Sequence, residues 1–121
     1  DTKIETKQLH QAIINAIQDK KGYDIQSLNL DNIENALAGY FIITHGTSRT
    51  QVDAIAEAVM KNVKEATGEN PLYKEGLENA EWILIDYFDI VVHIFQEKTR
   101  SFFQLEKLWA DAGIEHFDSE H

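Results

Sequence analysis

The stretch EWILIDYFDIVVHIF, Glu81 to Phe95, decides the fold. Two apolar runs, Trp82–Tyr87 and Ile90–Phe95, are rich in β-branched and aromatic residues, and acids with turn chemistry stand between them. The pattern predicts an antiparallel hairpin. With Tyr87-Phe88 as a two-residue loop, Asp86 faces Asp89, Leu84 faces Val91 and Trp82 faces His93. Opposed residues of an antiparallel pair point to the same side. One face then carries Trp82, Leu84, Asp86, Asp89, Val91 and His93. The other carries Ile83, Ile85, Ile90, Val92 and Ile94, is purely aliphatic, and belongs to the core. The register is conditional, because like charges directly opposed cost stability and Phe88 resists the positive φ of a tight hairpin turn. The mixed face reads either as a docking surface or as a surface packed under a helix, with His93 a satisfied core histidine.

Outward from the hairpin, the chain alternates in type. Leu9, Ala12, Ile13, Ala16 and Ile17 repeat at helical spacing, predicting a helix over 7–21 that stops at Gly22. A weak strand over 24–30 and a polar connection, DNIENA at 31–36, lead to GYFIITHG, whose unalternating run from Tyr40 to Ile43 suits a strand covered on both sides. Ser48 and Gln51 form an S-x-x-Q capping box. It opens a helix that buries Val52, Ile55, Ala56, Val59 and Val63 and ends near Thr67 before Gly68. Pro71 precedes a short strand at 72–74. A last helix over 99–112 places Phe102, Leu105, Leu108 and Trp109 inward or at a groove, with Phe103, Glu106 and Lys107 off that stripe. IEHFDSEH reads as a frayed tail over 113–121. The order α-β-β-α-β-β-β-α describes one α/β domain over residues 1–121, core about 7–112, with a mixed sheet of about five strands flanked by helices.

Composition narrows the function. The 121 residues are 43% hydrophobic, enough for a core without a metal or disulfide. There is no cysteine, which excludes thiolate chemistry and Cys-type zinc sites. No apolar run approaches the ~20 residues of a membrane span, and the first residues, Asp1-Thr2-Lys3-Ile4-Glu5, lack a signal-peptide pattern. Acids outnumber bases 21 to 11 for a net charge of −10, and the bases are scattered. Nucleic-acid binding rests on phosphate neutralisation, so DNA and RNA are disfavoured as main partners; on charge alone the surplus of acids reads first as a solubility device, and a partner selected by it would be a basic protein.

Catalytic readings are weak. HGTS before a helix resembles the start of a nucleotidyltransferase site, but no Asp-x-Asp stands on a strand to hold magnesium and no Gly-x-x-x-x-Gly-Lys loop exists. Asp86, Asp89 and His93 are chemically competent as oxygen-rich metal ligands with one imidazole, yet two acids beside a turn are ordinary turn chemistry. Ser48, His93 and Asp86 make a triad only on paper, since no Gly-x-Ser-x-Gly elbow supports it.

Three blocks carry a resemblance: YFIITHGTSRTQVDAIAEAV (40–59), EGLENAEWILIDYFDIVVHIF (75–95) and RSFFQLEKLW (100–109). Together with the first helix they resemble the ribosomal silencing factor family, also called the Iojap family, over about 8–109. The resemblance implies a nucleotidyltransferase-like mixed-sheet fold without the catalytic carboxylates, no enzymatic activity and no cofactor or metal. It implies a cytoplasmic repressor of translation that binds the large ribosomal subunit through its fourteenth protein and blocks joining of the small subunit. Some relatives assist large-subunit biogenesis, and an exposed sheet surface suggests a homodimer off the ribosome. By position, the family's characteristic residues are Gly46, Ser48, Glu75, Gly76, Trp82, Asp86, Asp89, His93, Arg100, Leu105, Glu106 and Trp109. Its docking face lies on the late hairpin and last helix, so the partner-binding residues implied are Trp82, Asp86, Asp89, His93, Arg100, Phe103, Glu106 and Trp109. Three positions depart from the pattern. Phe88 stands where Gly is common, Gly39 where many members have Asp, and His45 where a small or hydroxyl residue is usual.

Overall fold

Helical periodicity in two segments and unbroken β-branched runs in three others sort the chain into layers. The computed structural model of the chain describes residues 2–31, 33, 36, 38–109 and 111–119, of residues 2–4 the backbone only. The elements are α1 (Thr2–Asp19), β1 (Tyr23–Asn29), β2 (Tyr40–Gly46), α2 (Arg49–Thr67), β3 (Tyr73–Glu75), β4 (Trp82–Asp86), β5 (Ile90–Gln96), α3 (Glu97–Phe103), α4 (Leu105–Leu108) and β6 (Gly113–Phe117). The strands form one mixed sheet in the order β3-β4-β5-β2-β1-β6. Only β2 and β5 run parallel; the other neighbours are antiparallel. The sheet thus has six strands rather than five. Of the DNIENA connection, Asn32, Glu34 and Asn35 lie outside the described residues.

The sixth strand corrects the expectation of a frayed tail. Residues 113–117 pair with β1, setting Ile114 opposite Leu28 and Phe117 opposite Ile25. Strand β1 would otherwise leave an open row of backbone donors and acceptors, and the tail satisfies it. IEHF is too short and too polar to announce a strand by itself; its pairing partner decides it.

Helices α1 and α2 cover one face. Their stripes, including Ile13, Ile17, Ile55 and Val59, pack on Ile83, Ile85, Ile90, Val92 and Ile94, all fully buried. The predicted aliphatic face of the hairpin is therefore core. Each such fully buried side chain contributes about 1.5–3 kcal/mol through burial, so a carboxylate in place of Ile55 is expected to unfold the domain. At the start of α2, Ser48 Oγ accepts from Gln51 N at 3.1 Å. The capping box closes one residue early, because Gln51 Oε1 accepts from Thr47 N at 2.9 Å rather than from Ser48. Gly68 ends the helix in the left-handed region at φ 78. No helix among the described residues is long and apolar enough to cross a membrane.

The last helix is not continuous. Gln104 adopts φ 48, ψ 51, and its N–H returns to Arg100 O at 2.9 Å, ending α3 before α4 begins. The break rotates the expected stripe. Leu105 is buried, but Phe102 and Leu108 point to solvent at 80% and 73% exposure.

Candidate partner-docking surface

The opposite face of the sheet carries Trp82 and Leu84 from β4, His93 and Phe95 from β5, and Phe41 and Ile43 from β2. The observed hairpin register sets Trp82 opposite Phe95, Leu84 opposite His93 and Asp86 opposite Val91. This shifts the predicted pairing by two residues. A shift of two preserves which side each residue faces, so Trp82, Leu84, Asp86, Val91 and His93 still share a side. Asp89 does not join them: it lies in the loop, and one of its oxygens accepts from Thr6 Oγ1 on α1 at 3.1 Å. No two acids oppose each other across the hairpin. The turn moves to Phe88-Asp89, where Phe88 sits at φ 79 and Asp89 N bonds Tyr87 O at 3.1 Å, an i→i+2 turn that favours glycine. Asp86 Oδ1 accepts from Phe88 N at 2.8 Å and helps hold it.

Trp82 and His93 are diagonal neighbours. Trp82 Nε1 donates to His93 Nδ1 at 3.1 Å, which places the proton of the neutral imidazole on Nε2. His93 is 4% exposed, and burial pushes its pKa down to about 4. The neutral form is locked in a cage of Phe41, Trp82 and Phe95. His93 therefore shapes the surface from below and is shut off from solvent. The phenyl ring of Phe103 lies 5.0 Å from Trp82 and 5.0 Å from Phe102 between ring centres. Trp109 meets Phe41 edge-on at 5.5 Å. Phe103 stays 47% exposed, Trp82 and Trp109 are half-buried, and Leu84 and Tyr73 continue the face toward the β3 edge. The result is a sheet face half roofed by α3 and α4 and half open, with aromatic rings along the boundary.

Gly76 makes this arrangement possible. It follows β3 at φ 84, and a Cβ there would stand 2.0 Å from Trp82 O. No other residue lets the chain pass this close to the start of β4.

Arg100 holds the roof down. It is 4% exposed and donates to Asp24 O at 2.8 Å, Tyr23 O at 3.4 Å and His45 Nδ1 at 2.9 Å. Its guanidinium also meets Asp24 Oδ2 at 3.4 Å and Glu106 Oε1 at 3.5 Å. The shift in register between Tyr23 and Gln26 is a β-bulge, the type of irregularity that re-aims backbone groups. Because arginine only donates, His45 is neutral at Nδ1. Burial, and then the Arg100 charge, hold His45 below its ordinary pKa. Its Nε2 faces Glu97 at 3.7 Å.

Among the eight residues expected to touch a partner, Trp82, Phe103, Trp109 and Asp86 reach this surface, while His93, Arg100 and Glu106 support it. Asp89 faces α1. Phe102, Leu108, Tyr73 and Leu84 complete the surface. A continuous helix over 99–112 sets the first two inward or at a groove; the break at Gln104 turns both to solvent instead. Asp86, Asp89 and His93 do not converge, and among the described residues no three His, Asp or Glu side chains are placed to hold a metal ion.

Comparison with known proteins gives the surface its context. Residues 3–121 match the family described as "Ribosomal silencing factor during starvation". A protein of Halalkalibacterium halodurans named ribosomal silencing factor RsfS is 41% identical over 109 residues, which are 90% of this chain and 92% of that one. A crystal structure of a Chromobacterium violaceum protein superposes with a TM-score of 0.81 at 35% identity, covering 86% of this chain and 85% of that chain. A mouse protein named mitochondrial assembly of ribosomal large subunit protein 1 is 30% identical over 83 residues, 67% of this chain and 35% of that protein. On the length and identity of these matches, the chain belongs to the ribosomal silencing factor family.

Proposed function

We propose that the chain is a cytoplasmic, non-catalytic repressor of translation. It binds the large ribosomal subunit through that subunit's fourteenth protein and occupies the surface where the small subunit docks. Two bodies cannot fill one surface, so joining is blocked without any chemical step. The observation that carries this reading is the open, aromatic-edged half of the sheet face, where Trp82 and Phe103 meet at a tilt, 5.0 Å between ring centres, beside a Phe102 that is 80% exposed. Such rings, half anchored and half free, supply the central contacts of protein interfaces. Trp82, Phe102, Phe103, Trp109 and Asp86 make the contact; Arg100, His93 and Glu106 fix its shape. The charge of −10 favours a basic ribosomal protein and disfavours bare RNA. Off the ribosome the same face is open to a second copy of the chain.

The name of the mouse relative favours a second reading, an adaptor for assembly of the large subunit that leaves joining unaffected. Co-sedimentation separates them. The chain is expected to pellet with purified large subunits and to suppress their pairing when small subunits are added. Pelleting without suppression supports the adaptor, and no pelleting with large subunits refutes both readings.

A further inference from the structure

On the side of the sheet away from the docking surface, α1 overhangs the ends of β2 and β6 and leaves an open cleft of about 640 Å³. Its floor is aromatic. The His10 ring lies 5.3 Å from Tyr40, nearly perpendicular, and 5.8 Å from Phe117. Its rim is acidic, with Asp31 after β1, Asp89 from the hairpin loop and Glu115 from β6. Lys7 stands on the same rim, one base against three carboxylates. His10 adds no charge near neutral pH: burial holds its pKa below the ordinary value despite the Glu115 carboxylate, and its Nε2 lies 2.7 Å from the Ser27 hydroxyl. Thr6 steadies Asp89 with a hydrogen bond, so that carboxylate is positioned rather than free to swing.

Ring faces attract cations through their quadrupoles, and carboxylates attract them by charge. We propose that this cleft binds a small organic cation, an alkylammonium or guanidinium head seated against the Tyr40, His10 and Phe117 rings and held by Asp31, Asp89 and Glu115. An anion would meet three like charges, and an uncharged apolar ligand would strip water from them without return. The site shares no residue with the aromatic boundary beside α3, so it stands or falls apart from ribosome docking.

The test is an amide NMR titration of the whole chain with 1,4-diaminobutane and with arginine amide, with 1,4-butanediol and magnesium chloride as controls. Saturable shifts are expected at Thr6, His10, Tyr40, Glu115 and Phe117 with at least one of the two organic cations. Response to diaminobutane alone assigns an alkylammonium head, and to arginine amide alone a guanidinium; either supports the site. Glu115→Gln, on an exposed strand position that tolerates the amide, is expected to weaken binding about fivefold. Glu57→Gln, on α2 outside the cleft, is expected to leave it unchanged. The proposal is overturned if neither cation gives saturable shifts up to about 10 mM. It is equally overturned if butanediol or magnesium gives the same response, or if both glutamine variants weaken binding alike, since diffuse charge would then be the cause.

Discussion

His93 makes the domain sensitive to acid in a way that can be measured. In the unfolded chain its imidazole titrates near the ordinary value of 6.5; in the folded chain burial lowers this to about 4. Between these values the unfolded state binds a proton that the native state refuses, so stability falls as pH drops through 6.5 and the loss is complete below about 4. A two-state proton balance with these two pKa values gives a loss of about 2 kcal/mol between pH 7 and pH 5. Carboxylates and other histidines titrate too, so the contribution is isolated by comparison with His93→Gln. The amide oxygen of that variant can still accept from Trp82 Nε1, and the side chain does not titrate. Urea unfolding of both proteins at pH 7 and pH 5 measures the difference. Wild type is expected to lose about 2 kcal/mol more than the variant over that interval. Parallel losses would mean that His93 is not a buried neutral imidazole and would remove the basis for placing it beneath the proposed docking surface.

Arg100→Ala strips the roof of its anchor. The carbonyls of Tyr23 and Asp24, His45 and Glu106 lose a donor, but Asp24 is more than half exposed, which softens the loss. A destabilisation of about 2–4 kcal/mol is expected, read as lost hydrogen-exchange protection in α3 before the sheet; unchanged α3 protection would contradict the role given to Arg100. Phe88→Gly relieves a bulky residue at φ 79 that is 70% exposed and so surrenders little packing. It should raise stability by about 1 kcal/mol, and a destabilised variant in urea would show that Phe88 packs where the structure leaves it free. Affinity for the isolated fourteenth large-subunit protein should fall as salt shortens the Debye length from about 10 Å to about 3 Å; salt-independent binding by calorimetry would refute the charge argument.

The sequence made the core legible because the core obeys periodicity. The stripes of α1 and α2 and the aliphatic side of the hairpin are where the spacing puts them. The hairpin register was misplaced by two because a two-residue loop at Tyr87-Phe88 and one at Phe88-Asp89 satisfy the same side-to-side pattern; only the strain accepted at Phe88 separates them. The edge strand β6 escaped because it is defined by its partner β1 rather than by its own composition. The largest miss concerns the proposed docking surface. A continuous helix sets Phe102 and Leu108 inward or at a groove, whereas the left-handed Gln104 turns both outward. Glutamine carries no signal for that conformation, and the Arg100 network that holds α3 against the bulge in β1 spans 76 residues of sequence. The position of Arg100 was legible, and its role as a clamp was not.

The central claim is most directly tested by light scattering of subunit joining. Large subunits are preloaded with the chain, mixed with small subunits, and compared with the same experiment using Phe102→Asp. That substitution alters a side chain 80% exposed and is expected to leave the fold intact. Wild type is predicted to suppress joining, and Phe102→Asp to need about thirtyfold more protein for the same effect, the loss typical of a central interface aromatic. Suppression by the variant at the wild-type concentration, or none by wild type, would contradict the account.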